Sequence, residues 1–180
     1  VLFRSLPGGH GIGDIGKAAV EFVDFLHSAK QGIWQVLPMG PTVAEEYHSP
    51  YASVSAFAGN PFLISLDALV DDGLIARADL QKQRKQVRLA GGASRVHFPA
   101  VAAFKGPLLK LAARNFAGKR ADAALERFTR EQPWADNYAQ YAALRERFGT
   151  VRERWPLALR FKPKNLEESK ELPLTKGEIR

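Results

Sequence analysis

The chain has 180 residues, 46% of them hydrophobic, which allows one domain with a sizeable core and matches the composition of globular proteins. It contains no cysteine, which excludes a disulfide framework and a thiolate metal site. No apolar run nears the roughly 20 residues that span a bilayer. A net charge of +7 and a pI ≈ 9.8 raise the question of nucleic acid. No RNP sequence, zinc-finger spacing or helix-turn-helix pattern accompanies the basic stretch Arg77–Arg95, which suits the polar face of a helix, so neither a nucleic-acid nor a membrane partner is expected.

In chain order, residues 1–6 (VLFRSL) suit a short strand, and the turn PGGHGIG leads to Asp14, a good N-cap. Its opening VLFRSLPGGHG lacks an apolar h-region, so no signal peptide is expected and the address is cytoplasmic. Val1 in place of Met suggests a chain that begins inside a longer coding sequence or after processing. Ile15, Ala19, Phe22, Leu26 and Ala29 recur at helical spacing, and Gly32 is expected to stop that helix. Ile33–Leu37 (IWQVL) is short, apolar and β-favouring, as a buried parallel strand would be. Strand, helix and strand form a βαβ unit, which points to α/β architecture.

A long loop follows, running YHSPYASVSAFAGNPFLISLD from Tyr47 to Asp67. Long connections are either functional or disordered, and the rings here supply the burial that disordered segments lack. Residues 62–65 suit a brief extended stretch, and a short helix is expected from Asp67 to Gly73. Helical patterns cover 79–89, 99–116, 119–130 and 133–147, broken at Gly91–Gly92, Gly118 and Gly149. The polar, proline-containing tail over 162–180 is expected to be poorly ordered. The expected organisation is therefore 1–77 as strands, helix and aromatic loop, 78–161 as a helical subdomain, and 162–180 as tail.

Several patterns have ordinary explanations. GIGDIG (Gly11–Gly16) fits G-x-G-x-x-G, but the next strand candidate ends Val36-Leu37-Pro38 without the acid that a ribose needs, so a glycine-dependent turn is the expectation. The carboxylates Asp24, Glu45, Glu46, Asp67, Asp71, Asp72, Glu126 and Asp136 have no evident partner across a cleft. His10, His27, His48 and His97 lack metal-ligand spacing, and Trp34 suits a core position. Ser49-Pro50-Tyr51 differs from these, because it follows the carboxyl end of a strand candidate, where α/β folds place ligands. A ring fixed by a preceding proline offers a flat platform for the apolar face of a sugar. The residues alone leave that role and a purely structural aromatic loop equally open.

These stretches converge on one family. SLPGGHGIGDIGKAAVEFVDFLHSAKQGIWQVLPMGPT, followed by SPYASVSAFAGNPFLISLDAL, resembles the start of the 4-α-glucanotransferases, the amylomaltase or disproportionating-enzyme family. The resemblance is continuous from Ser5 to about Leu69, and a looser one covers Trp134–Arg160 (WADNYAQYAAL and WPLALR). It implies the N-terminal part of a (β/α)₈ barrel with a mostly helical insertion, incomplete in this chain. It implies transfer of an α-1,4-glucan segment to a 4-hydroxyl of an acceptor by a retaining double displacement, with maltooligosaccharides as partners and no cofactor or metal. Carried over by position, Tyr51 stacks on the sugar beside the cleavage point, Ser49 bonds nearby, and Tyr47 serves an accessory glucan groove. The nucleophile and acid/base of the family lie on later strands, so no catalytic residue is expected in this chain and it is expected to be inactive alone. A non-catalytic carbohydrate-binding module or a basic nucleic-acid-binding domain are the alternatives. The chain departs from the family's opening L-L-H-P-T at Leu2-Phe3-Arg4, and from its pattern again after Arg160.

Overall fold

A computed structural model describes residues 3–89, 95–119, 121–149 and 152–160. Its helices are α1 (Lys17–Ser28), α2 (Leu66–Asp71), α3 (Arg77–Gln86), α4 (Phe98–Lys119), α5 (Ala121–Glu131), α6 (Trp134–Phe148) and α7 (Leu157–Arg160). The chain divides into two compact units, Val1–Ala124 and Leu125–Arg180. The polar tail expected over 162–180 lies outside the described residues.

Two expected strands are absent from the described residues. Phe3–Ser5 forms a 3₁₀ turn, and Ile33–Leu37 runs without regular structure. Ile33, expected to be buried, is 86% exposed. A strand is held by ladder bonds to a neighbour, and no second strand is described for either segment to pair with, so the described residues are mostly helical. The one β feature among the described residues is an isolated antiparallel bridge between Thr42 and Ser53. Residues 61–63 form a further 3₁₀ turn where extension was expected. Trp34 packs on Phe3 and Phe22, with ring centroids 4.5 and 4.9 Å away, in a structural setting.

Helix α1 begins at Lys17 behind Gly16, so Asp14 is not its N-cap. Asp14 turns instead toward the Lys105 ammonium, 3.9 Å away, because a buried cation draws a carboxylate more strongly than a helix end does. The helix also stops before Gly32. Lys30 takes the left-handed conformation (φ 57), and its N–H and that of Gln31 donate to the carbonyls of His27 and Leu26 in a Schellman arrangement. Ala19, Phe22 and Leu26 are the more covered residues of the expected stripe, whereas Ile15 is exposed, as are Val20, Val23 and Phe25.

Helix α4 organises the core of the first unit. Val101, Phe104, Leu108 and Ala112 recur on one face, and the last three pack with Leu66, Ile75 and Leu80 from α2, the following turn and α3. Ser65 caps α2 through the Ala68 N–H, and Gly73 (φ 69) ends that turn, as expected. Pro107 interrupts α4's ladder because it has no N–H for the carbonyl of Ala103. Gln83 Nε2 donates to that carbonyl at 2.8 Å, which ties α3 to α4 at the break. Asn115 Nδ2 likewise donates to Leu74 O at 2.8 Å.

In the second unit Trp155 is buried, donates from Nε1 to Gly149 O at 2.8 Å, and lies 5.8 Å from the Tyr141 ring. Trp134 at the start of α6 meets Phe128 edge-on and donates to Gln132 Oε1. Burial raises the Tyr138 phenol above its usual pKa.

Candidate functional site

The loop between α1 and α2 is stitched by side chains rather than by a sheet. Asn60 is central to it. Its Oδ1 accepts from Phe62 N (3.0 Å), which leaves Nδ2 to donate to Thr42 Oγ1 (3.3 Å). Thr42 Oγ1 in turn meets His48 Nδ1 at 3.2 Å. Thr42 Oγ1 accepts from Asn60 and is hydrogen-bonded to His48, donating when Nδ1 is unprotonated and accepting through its second lone pair when Nδ1 carries the proton. Burial lowers the His48 pKa; Glu45 opposes that shift and Arg4 reinforces it.

The His48 ring stacks on Phe98, the first residue of α4, at 4.0 Å and 16°. Arg4 Nη1 donates to His48 O at 2.9 Å. Ser53 and Ser55 are both spent on the backbone: Ser53 Oγ bonds the carbonyls of Pro41 and Ser55, and Ser55 Oγ accepts from the N–H groups of Phe57 and Ala58. Gly40 is required for close approach, since a Cβ there would collide with Ser53 Oγ and lie 2.8 Å from Ser55 O.

Tyr47 and His48 are consecutive left-handed residues (φ 51 and 53), a conformation uncommon for side chains of this size. Beyond them Pro50 is buried and Tyr51 stands 74% exposed. Tyr47 is 93% exposed. Ser49 Oγ accepts from Tyr51 N at 3.3 Å, which closes the turn and leaves the hydroxyl proton for another acceptor. Phe57, which SAFAG suggests is packed beneath the loop, is 71% exposed. Its backbone is drawn onto Ser55 Oγ, and the ring is left pointing outward.

Beneath the loop's far end lies a buried polar cluster. Lys105 is 0% exposed, and its Nζ donates to Phe62 O (2.6 Å) and Ile64 O (2.7 Å) while pairing with Asp14. Burial lowers its pKa to about 8, against the pull of Asp14, and burial raises Asp14 despite Lys105. His10, also buried, bonds Asp67 Oδ2 through Nε2 at 3.0 Å and stacks on Phe104, while Arg84 donates to Gly9 O. Lys105 was missed from sequence, although a charged residue on the apolar stripe of α4 was a legible sign. Among the described residues no three His, Asp or Glu side chains converge as a metal site requires.

Five carboxylates of this unit carry structural partners: Asp14 with Lys105, Asp67 with His10, Asp71 with Arg77, Asp79 with the Ala76 N–H, and Glu21 with Lys17. The loop presents rings and hydroxyls to solvent, and its two acids, Glu45 and Glu46, are exposed beside Tyr47. The family model described as 4-alpha-glucanotransferase matches residues 1–176.

The chain belongs to the 4-alpha-glucanotransferase family.

The 4-alpha-glucanotransferase of Streptococcus pneumoniae serotype 4 is 40% identical over 154 residues, covering 84% of this chain and 29% of that protein. The Thermus thermophilus 4-alpha-glucanotransferase is 40% identical over 172 residues, covering 92% of this chain and 32% of that protein. Among solved structures, an amylomaltase from Streptococcus agalactiae in complex with acarbose aligns with a TM-score of 0.75 and 36% identity, covering 86% of this chain and 31% of that one. The chain thus spans about a third of the length of the 4-alpha-glucanotransferases it matches. The family match runs through residue 176, so the tail that departs from the motif pattern after Arg160 falls largely within the family's span. No described helix is long and apolar enough to cross a membrane.

Proposed function

We propose that this chain is the N-terminal, substrate-binding part of a cytoplasmic 4-α-glucanotransferase that moves a segment of an α-1,4-glucan to the 4-hydroxyl of an acceptor sugar. The observation that carries this is Tyr51: a solvent-facing ring held on a buried proline, inside a stretch matched by the family model. Tyr51 stacks on the sugar at the cleavage point. The free Ser49 proton bonds a hydroxyl beside it, and Tyr47 serves an accessory groove on the same glucan. Retaining transfer needs two carboxyl groups about 5–5.5 Å apart across the scissile bond. Asp14, Asp67, Asp71 and Asp79 are engaged elsewhere, and the family resemblance puts the nucleophile and acid/base in segments outside residues 1–180. In the complete protein the segments 1–6 and 33–37 gain strand partners and join a (β/α)₈ barrel, with 78–161 as its helical insertion.

Incubation with maltotriose tests the assignment. The chain alone is expected to release no glucose and to form no longer maltodextrins, whereas the complete protein does both. Acarbose, the ligand held by the Streptococcus agalactiae amylomaltase, should perturb the Tyr51 ring resonances of this chain. Disproportionation by residues 1–180 alone would show that the carboxylates have been misplaced.

A further inference from the structure

The two exposed tyrosines sit on either side of a residue that points the other way. Tyr47 and His48 share a positive-φ turn closed by backbone bonds from Tyr47 N to Ala44 O, His48 N to Val43 O and Ser49 N to Glu46 O, and consecutive residues of this kind persist only where their surroundings over-determine them. The His48 imidazole adds a side-chain restraint to those bonds, from two directions. One face lies on Phe98 at 4.0 Å, nearly parallel to it, and Phe62 approaches at 5.7 Å. Its Nδ1 terminates the relay from Phe62 N through Asn60 and Thr42. Arg4 holds the His48 carbonyl, so backbone and ring are both fixed. Two residues on, Pro50 is buried, and the next N–H, of Tyr51, closes onto Ser49 Oγ, which shortens the link between the imidazole and the Tyr51 ring.

We propose that His48, pinned by the Asn60–Thr42 relay and stacked on Phe98, is the positioning residue that holds Tyr47 and Tyr51 outward for the sugar. This rests on the proposed role of Tyr51 and deepens it. The residue does not touch the substrate. It converts the fixed start of α4 into a fixed attitude of the turn, and the benefit to binding is that the rings need not be ordered when the glucan arrives.

NMR on the 180-residue chain tests this with and without sugar. Wild type should show His48 ring protons shifted by the Phe98 ring current, and backbone couplings of positive φ at Tyr47 and His48. His48→Ala should lose the positive-φ couplings and move the Tyr51 resonances toward those of a free tyrosine. It should weaken maltoheptaose binding about three- to tenfold, the range of a lost ring stack. His48→Phe keeps a ring for Phe98 and should recover part of that affinity. His48→Asn, which tolerates the left-handed backbone but cannot stack, should not. Tyr51→Ala should abolish the maltoheptaose response and leave the His48 ring shifts in place. Tyr51-dependent binding that His48→Ala leaves unchanged, or full recovery by His48→Asn, would overturn the positioning role alone. A wild-type chain with intact ring shifts and no response to maltoheptaose would overturn the sugar role of Tyr51, and this proposal with it.

Discussion

Lys105→Met, followed across pH, probes the buried cluster directly. Methionine keeps the unbranched stem of lysine and removes the ammonium, so the packing beside Phe104 and Leu108 is largely preserved. Burial pushes the folded Lys105 ammonium down to about 8, against its ordinary 10.5 in the unfolded chain. The lowered folded pKa means that between these values the unfolded chain holds a proton the folded chain has released. Stability therefore rises with pH through that window and does not fall. The full excursion corresponds to about 3 kcal/mol, because each unit of pKa is about 1.4 kcal/mol and the group is wholly out of solvent.

The neutral amine still has two protons for the carbonyls of Phe62 and Ile64, so deprotonation relieves the cost of a buried charge without breaking the clamp. Urea unfolding at pH 7, 8, 9 and 10 yields the wild-type minus Lys105→Met difference. The other lysines and tyrosines titrate alike in both proteins and cancel from it. That difference should grow by about 2–3 kcal/mol from pH 7 to 10, and a Lys105 ¹³Cε titration should show a midpoint near 8. A flat difference, or a midpoint near 10.5, would refute the burial of Lys105 beneath the far end of the loop.

Other substitutions separate packing from recognition. Phe104→Ala removes a fully buried ring at the centre of the α2–α4 core and should cost about 3–5 kcal/mol in urea; a loss under about 1 kcal/mol would contradict that core. Gly40→Ala forces a Cβ against Ser53 Oγ and Ser55 O and should destabilise the loop by about 1–3 kcal/mol, visible as faster amide exchange at Val54 and Asn60. Tyr51→Ala and Phe57→Ala both trim exposed rings and should each change stability by no more than about 0.5 kcal/mol. In the complete protein only Tyr51→Ala should depress glucan transfer strongly; equal losses from both would show that the two rings act together.

What local sequence could determine, it determined well. The periods running through α3, α4, α5 and α6 place those helices within a few residues, because helix formation depends on i, i+3 and i+4 neighbours that the chain itself supplies. Gly73 as a stop and the turn behind GIGDIG were legible for the same reason. The motif around Ser49-Pro50-Tyr51 was also visible, since a proline and the ring after it are a local arrangement, and the family's stamp on Ser5–Leu69 is written in residue identity alone.

The remainder depended on contacts between residues distant in sequence. Ile33–Leu37 has every preference of a strand, but a strand is completed by a partner, and none is described beside it. Asp14 looks like a cap until Lys105, far along the chain, arrives beneath it. The composition of SAFAG cannot say whether Phe57 faces in or out; Ser55 Oγ decides that by gathering two N–H groups and turning the ring to solvent. His48 reads as one histidine among four in the sequence. It becomes the pivot of the loop only when α4 brings Phe98 against its face and Thr42, bonded to Asn60, reaches its Nδ1, because stacking and hydrogen bonding exist between side chains and not within either one.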